Sequence, residues 1–179
     1  MPKTILQGRP SHQLRSLATL LGTTAAVLAR RCVGRPMVPQ WSAAFEIGTL
    51  FFRRQFIHAL ALPDIADSRA YFDSLYTVVV ANPDVDQRPS AAGEPRGDWF
   101  IPRGHSSTLT LLYFHGGGYC LGSLDSHDAL CRSLAALTPC YVLHIAYRLA
   151  PENRFPSAVH DAHDGYQWLL RQGLAYGLD

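Results

Sequence analysis

Leu109-Thr110-Leu111-Leu112-Tyr113-Phe114 runs directly into His115-Gly116-Gly117-Gly118-Tyr119. A short, almost unbroken apolar run fits a strand covered on both faces, and it stops where three glycines leave no side chain to pack. Downstream, Leu130, Leu134 and Leu137 fall at helical spacing, with Asp125 and Ser126 as candidate caps. Residues 140–146 are again a buried-type strand. Ala158, Val159, Ala162, Tyr166, Leu169 and Leu170 then form one helical stripe that Gly173 can terminate. Strand, helix, strand, helix predicts a parallel sheet with right-handed crossovers.

Upstream the pattern changes. Residues 1–63 read as helical: Phe45, Leu50, Phe51, Phe52 and Phe56 give an apolar face that needs covering, with Arg53 and Arg54 turned to solvent. Thr77-Val78-Val79-Val80 is a β-branched run. Pro83, Pro89, Gly93 and Pro95 mark residues 82–97 as turn-rich, and Trp99-Phe100-Ile101 reads as a short strand. The domain organisation expected is therefore a basic helical segment over 1–63 and a mixed α/β domain over 64–179.

Charge separates the same two regions. Residues 1–45 carry Lys3, Arg9, Arg15, Arg30, Arg31 and Arg35 and no acid before Glu46, whereas the rest is net acidic. The formal net charge of +2 over 179 residues is too small for a nucleic-acid footprint, so no nucleic-acid partner is expected. Residues 17–29 are mainly apolar but short of the ~20 needed to cross a bilayer, and no transmembrane segment is expected. They read as an amphipathic surface helix, with export or membrane-surface association as alternatives to a cytoplasmic location. Cys32, Cys120, Cys131 and Cys140 lack CxxC spacing and read as small apolar residues in a reducing compartment.

The glycines carry the chemistry. Their amides can converge on an incoming oxygen instead of pairing in a ladder, which an oxyanion hole requires. His115-Gly116-Gly117-Gly118, then Gly122-Ser123-Leu124-Asp125-Ser126-His127-Asp128, Tyr147-Arg148-Leu149-Ala150-Pro151-Glu152 and Phe155-Pro156-Ser157-Ala158 together resemble the hormone-sensitive-lipase-like branch of the α/β-hydrolase esterases, over roughly residues 77–179. The resemblance implies a partial α/β-hydrolase fold, a mostly parallel sheet flanked by helices, preceded by an N-terminal helical cap segment. It implies hydrolysis of small carboxylic esters or lactones, with no metal or organic cofactor. It makes Gly116, Gly117 and Gly118 the oxyanion-hole loop, with Gly117 and Gly118 as N–H donors and His115 as loop support. Tyr147, Arg148 and Glu152 become anchors through an Arg–carboxylate fork, and His127 has a place near the site wall.

One departure matters. No GxSxG occurs in these 179 residues, so the nucleophile, acid and base are expected beyond Asp179, leaving a chain inactive by itself and a β-strand edge open to self-association. A non-catalytic interaction module, or one half of a split esterase, is the alternative. Gly118-Tyr119-Cys120-Leu121-Gly122 fits GxCxG, but its strand already feeds the glycine loop, so Cys120 reads as packing. His160 and His163 are interleaved with Asp161 and Asp164; His160 and Asp164 fall nearly opposite the apolar stripe, which reads as a solvated helix face, and no metal site is expected there.

Overall fold

The computed structural model describes residues 3–6, 8–81, 83–104, 109–138 and 140–172. The chain divides into two compact units, Gly8–Leu75 and a second formed by Met1–Gln7 with Tyr76–Asp179. Gly173 and the rest of residues 173–179, expected to end a helix and approach a further strand, lie outside the described residues.

The helical unit contains α1 (Pro10–Cys32), α2 (Ala43–Ala61) and α3 (Ile65–Asp73). Proline in the first turn starts α1, where its missing N–H costs nothing. Ser42 caps α2 by accepting from the Phe45 amide, and Asp64 caps α3 by accepting from Ala66 and Asp67 at 2.8 and 3.0 Å. The buried side of α2 differs from the expected phenylalanine stripe: Glu46, Gln55 and Ala59 are enclosed, while Phe45, Phe52 and Phe56 remain exposed. The reason is that α1 and α3 supply partners for those polar groups. Arg30 and Arg31 both pair with Glu46, Gln55 donates to Ser16 at 2.9 Å, and Tyr71 donates to Gln55 at 2.7 Å. Arg54 likewise donates to Thr23 on α1. Among the described residues no helix is long and apolar enough to cross a membrane.

The second unit corrects the helical reading of the chain's start, since β1 (Lys3–Leu6) pairs antiparallel with β2 (Thr77–Ala81). A four-stranded sheet follows, containing β3 (Val85–Pro89), β4 (Gly97–Pro102), β5 (Thr110–Phe114) and β6 (Tyr141–Ile145) in the order β3-β4-β6-β5. Of its pairings only β5–β6 is parallel; β3–β4 and β4–β6 are antiparallel, so the described sheet is mixed. The β3–β4 hairpin, whose first strand falls inside the expected turn region and whose second holds the expected strand at Trp99–Ile101, accounts for this. Glu94 organises its turn by accepting from Arg88, the Ala91 amide and the Trp99 indole at 2.8–2.9 Å.

α4 (Asp128–Leu137) makes the parallel crossover between β5 and β6, as the alternation predicts. Its buried face is Cys131 and Ala135, packed with Phe100, Val142 and Cys140; of the expected leucines, Leu134 packs part-buried against this cluster, while Leu130 and Leu137 are exposed. The expected leucine face is thus rotated by one residue, about 100°, because small side chains let the helix approach the sheet closely. α5 (Ser157–Gln172) covers the other face, with Leu169 buried among Trp99, Leu143, Ile145 and Tyr147. Val159, Tyr166 and Leu170, placed in its apolar stripe by sequence, are about half exposed, and Gly165 is buried instead. β5 is only half-buried, against the expectation of full cover, since β6 is its one neighbour among the described residues.

Candidate active site

The parallel strand β5 ends at Phe114, and His115 begins the loop. Gly117 and Gly118 have φ of 136° and 63°, and Tyr119 continues at 62°, a left-handed conformation rare for a residue with a side chain. The Gly117 carbonyl accepts from the Cys120 and Leu121 amides at 3.2 and 2.9 Å, closing a tight turn. A Cβ at Gly117 would collide with the Leu121 carbonyl. No acceptor among the described residues takes the N–H of Gly117 or Gly118. Both glycines, with Gly116 and His115, line a cleft of about 450 Å³ whose other walls include Tyr119, Tyr147 and Ala158.

His115 is buried and holds the loop from behind. Its Nδ1 lies 3.0 Å from the Gly116 carbonyl, which assigns the proton to Nδ1 as the donor. Tyr147 stacks on the His115 ring at 4.4 Å and donates its hydroxyl to the His115 carbonyl at 2.6 Å. Burial lowers the His115 pKa, opposed by the bond to Gly116, and burial pushes the Tyr147 phenol up to about 12. Both groups are therefore neutral at pH 7, with Tyr147 fixed as a donor. Gly122 completes the brace: at φ 90°, a Cβ there would lie 2.5 Å from His115 Nδ1 and 2.6 Å from the Gly116 oxygen.

Behind this loop the β6 residue His144 is fully buried, in ring contact with Tyr113, His115 and His127 at 5.1, 5.5 and 6.2 Å. Burial, with His115 and His127 nearby, pushes its pKa down to about 3. His127, which the resemblance allows near the site wall, is not among the residues lining the cleft; its ring lies 5.5 Å from that of His115 and 2.9 Å from the Ser126 hydroxyl, its pKa lowered to about 4 chiefly by burial.

The expected Arg–carboxylate fork exists with a different carboxylate. Arg148 Nε and Nη2 reach Asp161 Oδ1 at 2.9 and 2.7 Å, and its amide reaches Oδ2 at 2.7 Å, whereas Glu152 is exposed. Sequence spacing grouped Asp161 with the exposed His160 and His163; it is instead partly buried and engaged by the loop after β6. The predicted caps also shift: Ser123 and Ser126 exchange amide–hydroxyl bonds at 2.9 and 3.1 Å, and Asp125 starts a single 3₁₀ turn before α4. Cys120 occupies a turn with no helix starting before Asp125, which is not the strand-to-helix geometry of an elbow. Cys131 and Cys140 are buried, as expected of packing residues, whereas Cys32 is exposed.

Residues 111–179 match a family described by its α/β hydrolase fold. The chain carries part of that fold, and the proteins it resembles are esterases, one of them from the bacterial hormone-sensitive lipase family. An ethyl acetate hydrolase from Pseudomonas putida is 55% identical over 69 residues, covering 38% of this chain and 22% of that protein. An esterase from Acinetobacter venetianus is 40% identical over 106 residues, covering 59% of this chain and 35% of that one. The crystal structure of an esterase from the bacterial hormone-sensitive lipase family superposes with a TM-score of 0.57 at 28% identity, over 68% of this chain and 41% of that one. The chain thus spans well under half the length of these relatives.

Proposed function

We infer that this chain supplies the oxyanion-hole loop of a carboxylic ester or lactone hydrolase. The observation that supports the reading is the pair of amides at Gly117 and Gly118, which have no acceptor among the described residues and belong to a loop that follows a parallel strand and lines a cleft. When a serine attacks an acyl carbonyl, the oxygen gains negative charge, and donors already aimed at that position lower the barrier without reorganising. Loss of one such donor costs ~3 kcal/mol. His115 and Tyr147 hold the loop's carbonyls, so its amides are left for substrate. The 179 residues contain no GxSxG, so turnover requires a serine elbow and a histidine base from residues outside them.

The decisive experiment grafts residues 111–172 onto the matching segment of the Pseudomonas putida ethyl acetate hydrolase and assays ethyl acetate. The graft should hydrolyse it, and Gly117→Ala, which displaces the loop, should lower kcat about 100-fold or more with little change in KM. A folded graft whose kcat is indifferent to that substitution rejects the reading. A second reading, one half of a split esterase or a non-catalytic interaction module, is favoured by the lack of the elbow motif. It predicts that the purified 179-residue chain releases no product from short acyl esters and is not labelled by a serine-directed phosphonate; labelling would exclude it.

A further inference from the structure

We propose that α1 lies flat on an anionic membrane surface, its leucine ridge among the acyl chains and the unpaired arginines of its unit at the lipid headgroups. The helix runs 23 residues, about 34 Å at 1.5 Å per residue. At 100° per residue, Leu14, Leu17, Leu21 and Leu28 fall within about 60° of one another. All four are exposed, by 67, 53, 62 and 48%. The two buried residues of α1, Thr23 and Val27, stand about 130° round the helix from the middle of that ridge, so packing against α2 leaves the leucines uncovered. The helix is not apolar enough to cross a bilayer, which leaves it the surface.

What covers the ridge follows from charge and side-chain type. Residues 8–75 carry eight arginines against four acids, Glu46, Asp64, Asp67 and Asp73, and α1 itself contains no acid. Glu46 is spent on Arg30 and Arg31, and Asp67 pairs with Arg9. Arg15, Arg35 and Arg53 are exposed and meet no carboxylate among the described residues. An aliphatic ridge on an acid-free helix, in a unit with cations to spare, is what an interfacial helix presents. Its apolar side sinks ~5–10 Å into the boundary between headgroups and acyl chains, while arginine stems reach back to phosphate. A second copy would instead bring the same cations against this face, and protein hot spots draw on tryptophan, tyrosine and arginine more than on leucine.

Sedimentation of the full chain with sucrose-loaded vesicles provides the test. Vesicles of equal parts phosphatidylglycerol and phosphatidylcholine should carry the chain down, pure phosphatidylcholine should carry far less, and added salt should release it. Leu17→Asp with Leu21→Asp, at exposed positions, should weaken partitioning about tenfold or more, and Arg15→Glu with Arg53→Glu several-fold. Circular dichroism checks that each variant keeps its helices, and the arginine pair decides where the leucine pair loses them. Phe114→Lys, at the sheet edge, should partition as well as the wild type. Equal partitioning into both vesicles, wild-type partitioning by the folded leucine variant or, where that variant loses its helices, by the arginine variant, or partitioning lost in Phe114→Lys overturns the proposal. A chain that ignores both vesicles also overturns it; if the leucine variant then dissociates a wild-type dimer, the ridge belongs to a second copy.

Discussion

Both ring nitrogens of His144 are buried without a hydrogen-bond partner among the described residues. A neutral imidazole tolerates this; an imidazolium does not. Unfolded histidine titrates near 6.5, whereas folded His144 and His127 titrate near 3 and 4. Between these values the unfolded chain binds more protons, so the stability these residues contribute is complete above pH 6.5 and is lost as pH falls towards 3. Asp98, opposite His144 in the β4–β6 register and raised by burial, works in the other direction at the acid end. Urea midpoints measured from pH 7 to 4 should fall, and His144→Leu should flatten that fall; an unchanged slope in the variant would contradict the assignment. Tyr147→Phe deletes the donor to the His115 carbonyl and should cost about 1–3 kcal/mol of stability, read from the same urea curves. Neither residue could be given its role from sequence. The resemblance named Tyr147 as an anchor, but nothing in the spacing indicates that five aromatic rings, Tyr113, His115, His127, His144 and Tyr147, from three segments meet around the base of the loop.

At the level of elements, the pattern of residues 109–172 was legible because strand and helix periods differ sharply there: β5, α4, β6 and α5 all lie where apolar spacing puts them. What failed was the choice of buried face. Leucines outweigh cysteine and alanine in any apolar count, yet Cys131 and Ala135 pack against the sheet because they are small. The strand β3 was hidden for a different reason: Val85 is its one fully buried side chain, and its partner strand, rather than its composition, makes it a strand. Gly122→Ala tests the brace between loop and α4. Its positive φ and contact with His115 predict a loss of at least ~1 kcal/mol by thermal unfolding. β5, which has β6 as its one strand neighbour among the described residues, predicts concentration-dependent self-association in sedimentation, which Phe114→Lys should reduce; a strictly monomeric wild type would refute it.

For the whole molecule, the two compact units differ in what their interiors are made of. The helical unit encloses a carboxylate and an amide, Glu46 and Gln55, each met by partners from another helix. The sheet unit packs hydrocarbon on both faces of its sheet and encloses, beside it, the His115 and His144 rings and the Asp128–Arg132 ion pair. Charge asymmetry was visible in the sequence, but the polar contacts joining α1 to α2 were not, because their partners stand up to 39 residues apart. Thiol alkylation supplies a test at this scale. In the active graft it should leave turnover unchanged despite GxCxG, since Cys120 lies in a turn rather than an elbow; abolished turnover would restore cysteine to the chemistry.

Because the Gly117 and Gly118 amides are tethered only three and four residues beyond the end of β5, any strand that completes this sheet is placed against them by backbone pairing alone. A slip of one residue along β5 would displace the incoming strand by ~3.3 Å, whereas reactive groups lose most of their advantage within ~1 Å. Register, more than affinity, would then decide whether a joined assembly works.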